Sequence, residues 1–182
     1  MAADPSLPRC RQMTTGNKPA EAAQTSGALD RIDRELVVAL QKNARISNKD
    51  LAVLVGLSPS TCLERVRRLR ERRVLRGFHA AVDPALLGRP TQALISIRLQ
   101  VHHRNLIDDF YEHILRLPES LAVFHITGSD DYLVHVAVEN TERLRTLVLD
   151  DLTARDEVEH VETRLIFKAV RKTAIEPLVD GA

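Results

Sequence analysis

Apolar residues recur along this chain in two rhythms. From Leu29 to Arg73 they return every three or four positions, the period of a helix with one buried face. Leu29–Asn43 carries Leu29, Ile32, Leu36, Val37 and Leu40 as one stripe, with Asp30 and Asp33 in the first turn, where the helix dipole favours anions. Ser47–Val55 reads as a short second helix, with Ser47 as its cap and Asp50 placed to answer it. Gly56 permits the left-handed residue of a tight turn, and Leu57 is expected to tuck beneath it. In Ser58–Arg73, a hydroxyl cap is followed at once by Pro59, a strong start signal. Cys62, Leu63, Val66 and Leu69 form its apolar stripe, and Thr61, Glu64, Arg65, Arg68 and Arg72 lie on the other side. Val74–Val82 is read as extended structure around Gly77.

From Thr91 the rhythm changes to alternation. Ala93, Ile95, Ile97, Leu99 and Val101 fall on one face of a strand spanning Thr91–Val101. Leu106–Leu117 is helical again, stopped by Pro118. Leu121–Thr127 and Tyr132–Val138 are strands joined by a short polar turn, Gly128–Asp131. Thr141 is expected to cap a second helix, and Val158–Val170 to form the last strand. The order β-α-β-β-α-β is the ferredoxin-like plan, which leaves one sheet face without helices. Ser96, Arg98, Leu133, His135 and Ile166 are expected on that open face, a semi-apolar surface suited to dimerisation.

The fold class is therefore α+β. Residues 28–82 form a three-helix, winged-helix-like helix-turn-helix domain, and 91–170 a ferredoxin-like βαββαβ domain. Asp83–Pro90, with two Pro and a Gly, is the expected linker. Residues 1–27, rich in small and polar residues with little periodicity, are read as a disordered tail, and 171–182 as a C-terminal tail.

Charge separates the two halves. The whole chain carries a formal charge of +1, but residues 29–76 hold 12 Lys+Arg against 6 Asp+Glu, and residues 89–168 hold 9 against 14. Only the first half is suited to a polyanion. Aromatic residues are 3% of the chain with no Trp, which argues against single strands held by base stacking. No apolar run is long enough to span a bilayer, and the first residues lack the apolar core of a secretion signal, so a cytoplasmic protein is expected. Cys10 and Cys62 do not read as a staple.

A helix, a Gly-containing turn and a second helix with an outward basic face suit the major groove of double-stranded DNA. A plain bundle with a solvated charged face would show the same charges. On the DNA reading, Ser60, Thr61 and Arg65, at the start of the reading helix, are the base-edge candidates, and Arg65 is suited to fork onto a guanine. Lys49, Ser58, Arg68 and Arg72 are suited to phosphates. In the second half, Gly128 allows a close backbone approach, successive amides of the turn suit a carboxylate, and Asp130 or Asp131 suits an α-ammonium; a plain turn with solvated acids fits equally. The seven His are scattered, and no HExxH, CxxC pair or Gly-rich phosphate loop occurs. No catalytic residue, metal site or cofactor is therefore assigned. An enzyme or a bare amino-acid-binding module is the alternative, separated from a regulator by whether the protein binds duplex DNA with steep salt dependence.

These residues carry a resemblance. Leu29-Asp30-Arg31-Ile32-Asp33, Arg45-Ile46-Ser47-Asn48, Val55-Gly56-Leu57-Ser58-Pro59, Cys62 through Leu69, and Gly128 with Asp131-Tyr132 resemble the leucine-responsive regulator/AsnC family of transcription regulators, from about Leu29 to Lys168. The resemblance implies a DNA-binding helix-turn-helix domain, a ligand-sensing second domain, homodimers through that domain, and assembly to octamers. It further implies a nucleoid-associated protein and an amino-acid effector bound where dimers meet, near Gly128, Ser129, Asp130, Asp131 and Tyr132. Two positions depart from the family pattern. Thr61 stands where many relatives have Pro, and Arg73 stands where Gly commonly ends the reading helix, so that helix is expected to run on or end less sharply.

Overall fold

The computed structural model describes residues 29–100, 104–170, 172, 174 and 175. The expected N-terminal tail, the last residue of the strand Thr91–Val101 and most of the C-terminal tail lie outside them. The described residues divide into two compact units: 29–78 together with 172, 174 and 175, and those between 79 and 170. Asp83–Pro90, read as a linker, thus belongs with the second unit. It folds into a 3₁₀ turn, Pro84–Leu87, opened by the Asp83 carboxylate accepting from the Ala85 amide at 3.0 Å.

In the first unit, each helix starts where a side chain caps it. The Asp33 amide donates to Asp30 Oδ1 at 2.7 Å, opening α1 (Arg31–Lys42). Ser47 opens α2 (Asn48–Leu54), accepting from the Asp50 amide at 3.1 Å while its hydroxyl donates to the Asp50 carboxylate at 2.7 Å. Ser58 opens α3 (Pro59–Glu71), accepting from the Thr61 amide at 3.2 Å. Gly56 takes the turn between α2 and α3 at φ 68°. The core joins Leu36, Ala39 and Leu40 of α1, Leu51, Ala52 and Val55 at α2, and Cys62 and Leu69 of α3. Leu63, expected in that stripe, is 60% exposed. It sits about 100° around the helix from Cys62, and three helices enclose only a narrow face.

No strand forms in Val74–Val82, so this is a three-helix domain without a wing. The expectation for α3's end is also corrected. The helix stops at Glu71, and Arg73 itself takes the left-handed position, φ 56°. The Gln41 side-chain amide brackets Ile175, donating to its carbonyl at 2.9 Å and accepting from its amide at 2.7 Å, and so holds the returning chain against the end of α1.

The second unit runs β1 (Thr91–Leu99), α4 (Arg104–Arg116), β2 (Ser120–His125), β3 (Tyr132–Val138), α5 (Thr141–Thr146, continuing as a π-helical segment Leu147–Thr153) and β4 (Val158–Leu165). Its sheet has the order β2-β3-β1-β4 with antiparallel neighbours, the ferredoxin-like arrangement. Ala93, Ile95, Ile97 and Leu99 of β1 and Val134, Val136 and Val138 of β3 pack against Phe110, Ile114, Leu144, Leu147 and Leu152. Two element ends differ from expectation. Asn140, not Thr141, caps α5, accepting from the Arg143 amide at 2.8 Å; of two adjacent capping residues, the earlier one took the position. The last strand ends at Leu165 rather than Val170. Ala93 pairs with Leu165, and the Ile166 amide donates to the Gln92 carbonyl at 2.9 Å, so two residues further on the partner is Pro90, which has no N–H to offer.

Ile166, expected on the helix-free face, lies past the end of β4, whereas that face carries Ser96, Arg98, Leu133 and His135, as expected. Two of these are already covered by their neighbours. Arg164 Nη1 donates to Ser96 Oγ at 2.9 Å, and His135 Nε2 lies 3.0 Å from Gln92 Oε1.

Candidate nucleic-acid interface and effector loop

The first turn of α3 is built by Ser58 and presents two hydroxyls. Ser58 Oγ lies 3.0 Å from Ser60 Oγ and 2.8 Å from Thr61 Oγ1, and it also holds the Thr61 amide. Ser58, expected at a phosphate, caps the helix, and Ser58, Ser60 and Thr61 are all exposed. Asn48 Nδ2 donates to the Pro59 carbonyl at 2.7 Å and fixes the start of α2 against the start of α3. Nothing in the local pattern marked Asn48, because its partner lies across the turn. Lys49, Arg68 and Arg72 are all exposed.

Arg65 does not stand outward as a base reader would. Its Nη1 donates to Asp30 Oδ2 at 2.6 Å and Asp33 Oδ1 at 2.8 Å, and its side chain is only 21% exposed. Asp30 and Asp33, three residues apart at the head of α1, face the same way and meet the flank of α3 there. The hydrogen bonds to Asp30 and Asp33 raise the Arg65 guanidinium above its ordinary range. The Asp30 carboxyl is held below the usual carboxylate value, first by the Asp33 amide and then by Arg65. Arg65 thus braces α3 on α1. The sequence placed Arg65 on the polar side correctly, but only tertiary contact reveals its partners.

On α3, Arg67 engages both of the helix's carboxylates, Glu64 at 2.7 Å and Glu71 at 3.3 Å. These are exposed pairs along one helix and contribute little to stability.

The loop between β2 and β3 is longer than a tight hairpin, because β2 ends at His125 and the Ile126 amide bonds the Asp131 carbonyl at 2.9 Å. Gly128 sits at φ 132°, a conformation side-chain-bearing residues rarely adopt. Gly128 and Ser129 are exposed and Asp130 is half-buried. Asp131 is turned into the fold. Its amide donates to the Ile97 carbonyl at 2.9 Å, and its Oδ2 accepts from the Leu99 amide at 2.8 Å, carrying the β1–β3 pairing past the end of the strand. Tyr132 is 1% exposed. Its ring stacks on His125 at 5.0 Å and lies 5.5 Å from Phe110, and its hydroxyl donates to the Ile107 carbonyl at 3.3 Å. Burial pushes its phenol up to about 12. Of the five residues expected at an effector, Gly128, Ser129 and Asp130 remain at the surface, and Asp131 and Tyr132 hold the loop.

Two cavities are described in this unit, and neither is lined by that loop. One of about 680 Å³ lies among Val82, Pro84, Leu87, Gln92 and Leu121. The other, about 530 Å³, is an apolar groove among Leu144, Val148, Leu149 and Leu165 beside β4. Among the described residues no cluster of His, Cys, Asp and Glu suits a metal ion. No helix of the described residues is long and apolar enough to cross a membrane.

Comparison with known proteins places both units. An AsnC-type helix-turn-helix domain model matches residues 29–70, and an Lrp/AsnC ligand binding domain model matches residues 92–175. The transcriptional regulator AldR of Mycolicibacterium smegmatis is 46% identical over 143 residues, covering 79% of this chain and 84% of that protein. The leucine-responsive regulatory protein of Haemophilus influenzae is 34% identical over 146 residues, covering 80% and 88%. Among solved structures, a transcriptional regulator of Neisseria meningitidis in complex with L-Met superposes with a TM-score of 0.76 at 29% identity, over 82% of this chain and 97% of that one.

Proposed function

The chain belongs to the Lrp/AsnC family of transcription regulators, a family of DNA-binding proteins rather than enzymes, and we propose a division of labour among its residues. α3 enters the major groove of duplex DNA by its first turn, with Ser60 and Thr61 at base edges. Lys49, Arg68 and Arg72 grip phosphates. Ser58 shapes the first turn, and Arg65 sets the helix's angle through Asp30 and Asp33 rather than reading a base. The observation that carries this reading is the exposed Ser60–Thr61 step on a helix capped, braced and basic along its outer side.

The second unit binds an amino-acid-type effector where dimers meet, and the protein assembles as a homodimer that builds to an octamer at the nucleoid in the cytoplasm. The L-Met complex of the Neisseria protein supports the ligand class. In this chain the exposed amides at Gly128 and Ser129 take the carboxylate and Asp130 takes the ammonium, while Asp131 and Tyr132 keep the loop in shape. A ligand at such a junction shifts dimer packing only through unequal affinity for two arrangements. Moving dimers changes the spacing of reading helices along DNA.

Duplexes selected from a random pool test the first half by fluorescence anisotropy. A dimer using Lys49, Arg68 and Arg72 on each protomer should show a log–log salt slope of about −5. Binding without salt dependence, or no binding to any duplex, overturns the DNA reading. Calorimetry with a panel of amino acids tests the second half. Heat that disappears in Asp130→Ala supports the site, and silence across the whole panel removes it.

A further inference from the structure

Arg73 is the one residue other than glycine with positive φ among the described residues, at 56°. It sits at the turn that ends α3. The Val74 amide donates to the Leu69 carbonyl at 2.9 Å and the Arg73 amide to the Arg70 carbonyl at 2.9 Å. Those two bonds close a Schellman motif, whose left-handed position glycine fills without cost. Any side chain there crowds its own carbonyl. A residue strained in this way is expected to offer something in return.

Packing does not supply it. Arg73 is exposed, and its side chain makes no hydrogen bond or ion pair with another described residue. The helix dipole does not need it either, since Arg68 and Arg70 already lie in the last turn. Arg70 and Arg76, within three residues of it along the chain, are both exposed, while both carboxylates of α3 are engaged by Arg67. Like charges gathered on a strained turn raise the energy of the free protein. A polyanion reverses that sign, because each cation laid on a phosphate releases a counterion. In homeodomains, a three-helix variant of this motif, the C-terminal end of the groove-reading helix contacts the DNA backbone.

We propose that Arg73 is a phosphate contact on duplex DNA, and that the left-handed turn after α3 is a binding element held at the expense of stability. The inference rests on the DNA-binding reading of α3. It adds a residue that the charge pattern of the stretch Ser58–Arg73 did not single out, and that the structure places just past the end of α3.

Three forms of the full chain test it: wild type, Arg73→Gly and Arg73→Lys. Arg73→Gly relaxes the turn and should raise the melting temperature by roughly 2–6 °C. The same change should weaken binding about fivefold at 0.15 M salt and flatten the salt slope by about 0.9 per protomer bound. Every duplex should be weakened alike, because a phosphate contact carries no sequence information. Arg73→Lys should recover the salt slope without the gain in melting temperature. If wild type binds steeply and Arg73→Gly binds with the same affinity and slope, the phosphate contact is overturned while the DNA reading stands. If Arg73→Gly melts no higher than wild type, the strain argument fails. If wild type binds no duplex, the reading beneath both is the one that falls.

Discussion

The two units are held together by different means. The second buries Phe110 and Tyr132 among aliphatic side chains from four elements, so its helices are fixed on the sheet by packing. The first has a core of small and aliphatic residues with no aromatic ring. What packing leaves undone there, charged side chains complete: Arg65 ties α3 to Asp30 and Asp33 at the head of α1. In a small unit, a charge on the polar side of a helix can therefore be structural. The second unit uses charge as well, but beside a larger core: Arg143 of α5 holds the nearly buried Glu119 at 2.5 Å, and Asp131 extends the ladder where a strand has run out.

The largest effect expected from this contrast is at Tyr132. Tyr132→Ala should cost about 3–5 kcal/mol in the second unit's unfolding transition by removing a fully buried ring. Tyr132→Phe should cost only about 1 kcal/mol, the value of one hydrogen bond to the Ile107 carbonyl. Denaturant titration separates the two variants. A Tyr132→Ala protein that unfolds like wild type but no longer binds an amino acid would return Tyr132 to the ligand.

The brace in the first unit comes next. Arg65→Ala should cost about 1.5–3 kcal/mol, because charged hydrogen bonds to Asp30 and Asp33 are lost and Asp33 is left largely buried. DNA affinity should fall with sequence preference kept, since the helix loses its angle and not a base contact. A relaxed preference at one base pair, with stability unchanged, would make Arg65 a reader after all. The pH dependence has a definite sign. The folded Asp30 carboxyl titrates below its unfolded value, so its contribution is present above about pH 4 and lost as pH falls through the lower folded value. Arg65→Ala should soften that acid limb. The change should be small, because the Asp30 side chain is 52% exposed and its charge is screened.

What the sequence disclosed follows the same division. Signals contained within a few residues were legible: Ser47 with Asp50, Ser58 with Thr61, and the alternation that gives β1 its buried face. The order of elements was legible for the same reason, since each has its own period. Arg65 and Asp131 were not, because their partners stand 32 or more positions away and nothing in a local pattern names them. The end of β4 was hidden for a related cause. The segment after Leu165, Ile166-Phe167-Lys168-Ala169-Val170, is still largely apolar, but the strand beside it begins at Thr91, behind Pro90. In the loop between β2 and β3, Gly128 was legible as part of a turn, and its positive φ fits that. Which of Asp130 and Asp131 faces outward depends on the ladder from β1, and only the fold decides it.

The smallest effect expected is at Leu63, and it bears most directly on how the first unit is enclosed. Cys62 and Leu69 are seven residues apart and share one face, both essentially buried. Leu63 joins their stripe on a helical wheel only if that stripe is wide, which requires a further layer of protein to cover it. Three short helices supply no such layer, and Leu63 stands 60% exposed. Leu63→Ala should therefore change stability by less than about 0.5 kcal/mol, as exposed substitutions do. Leu69→Ala, on the enclosed face of the same helix, should cost about 2–5 kcal/mol. Parallel denaturation of the two variants measures the width of the buried face directly. If Leu63→Ala cost as much as Leu69→Ala, something must cover that flank in solution, and a partner of the first unit would have to be sought there.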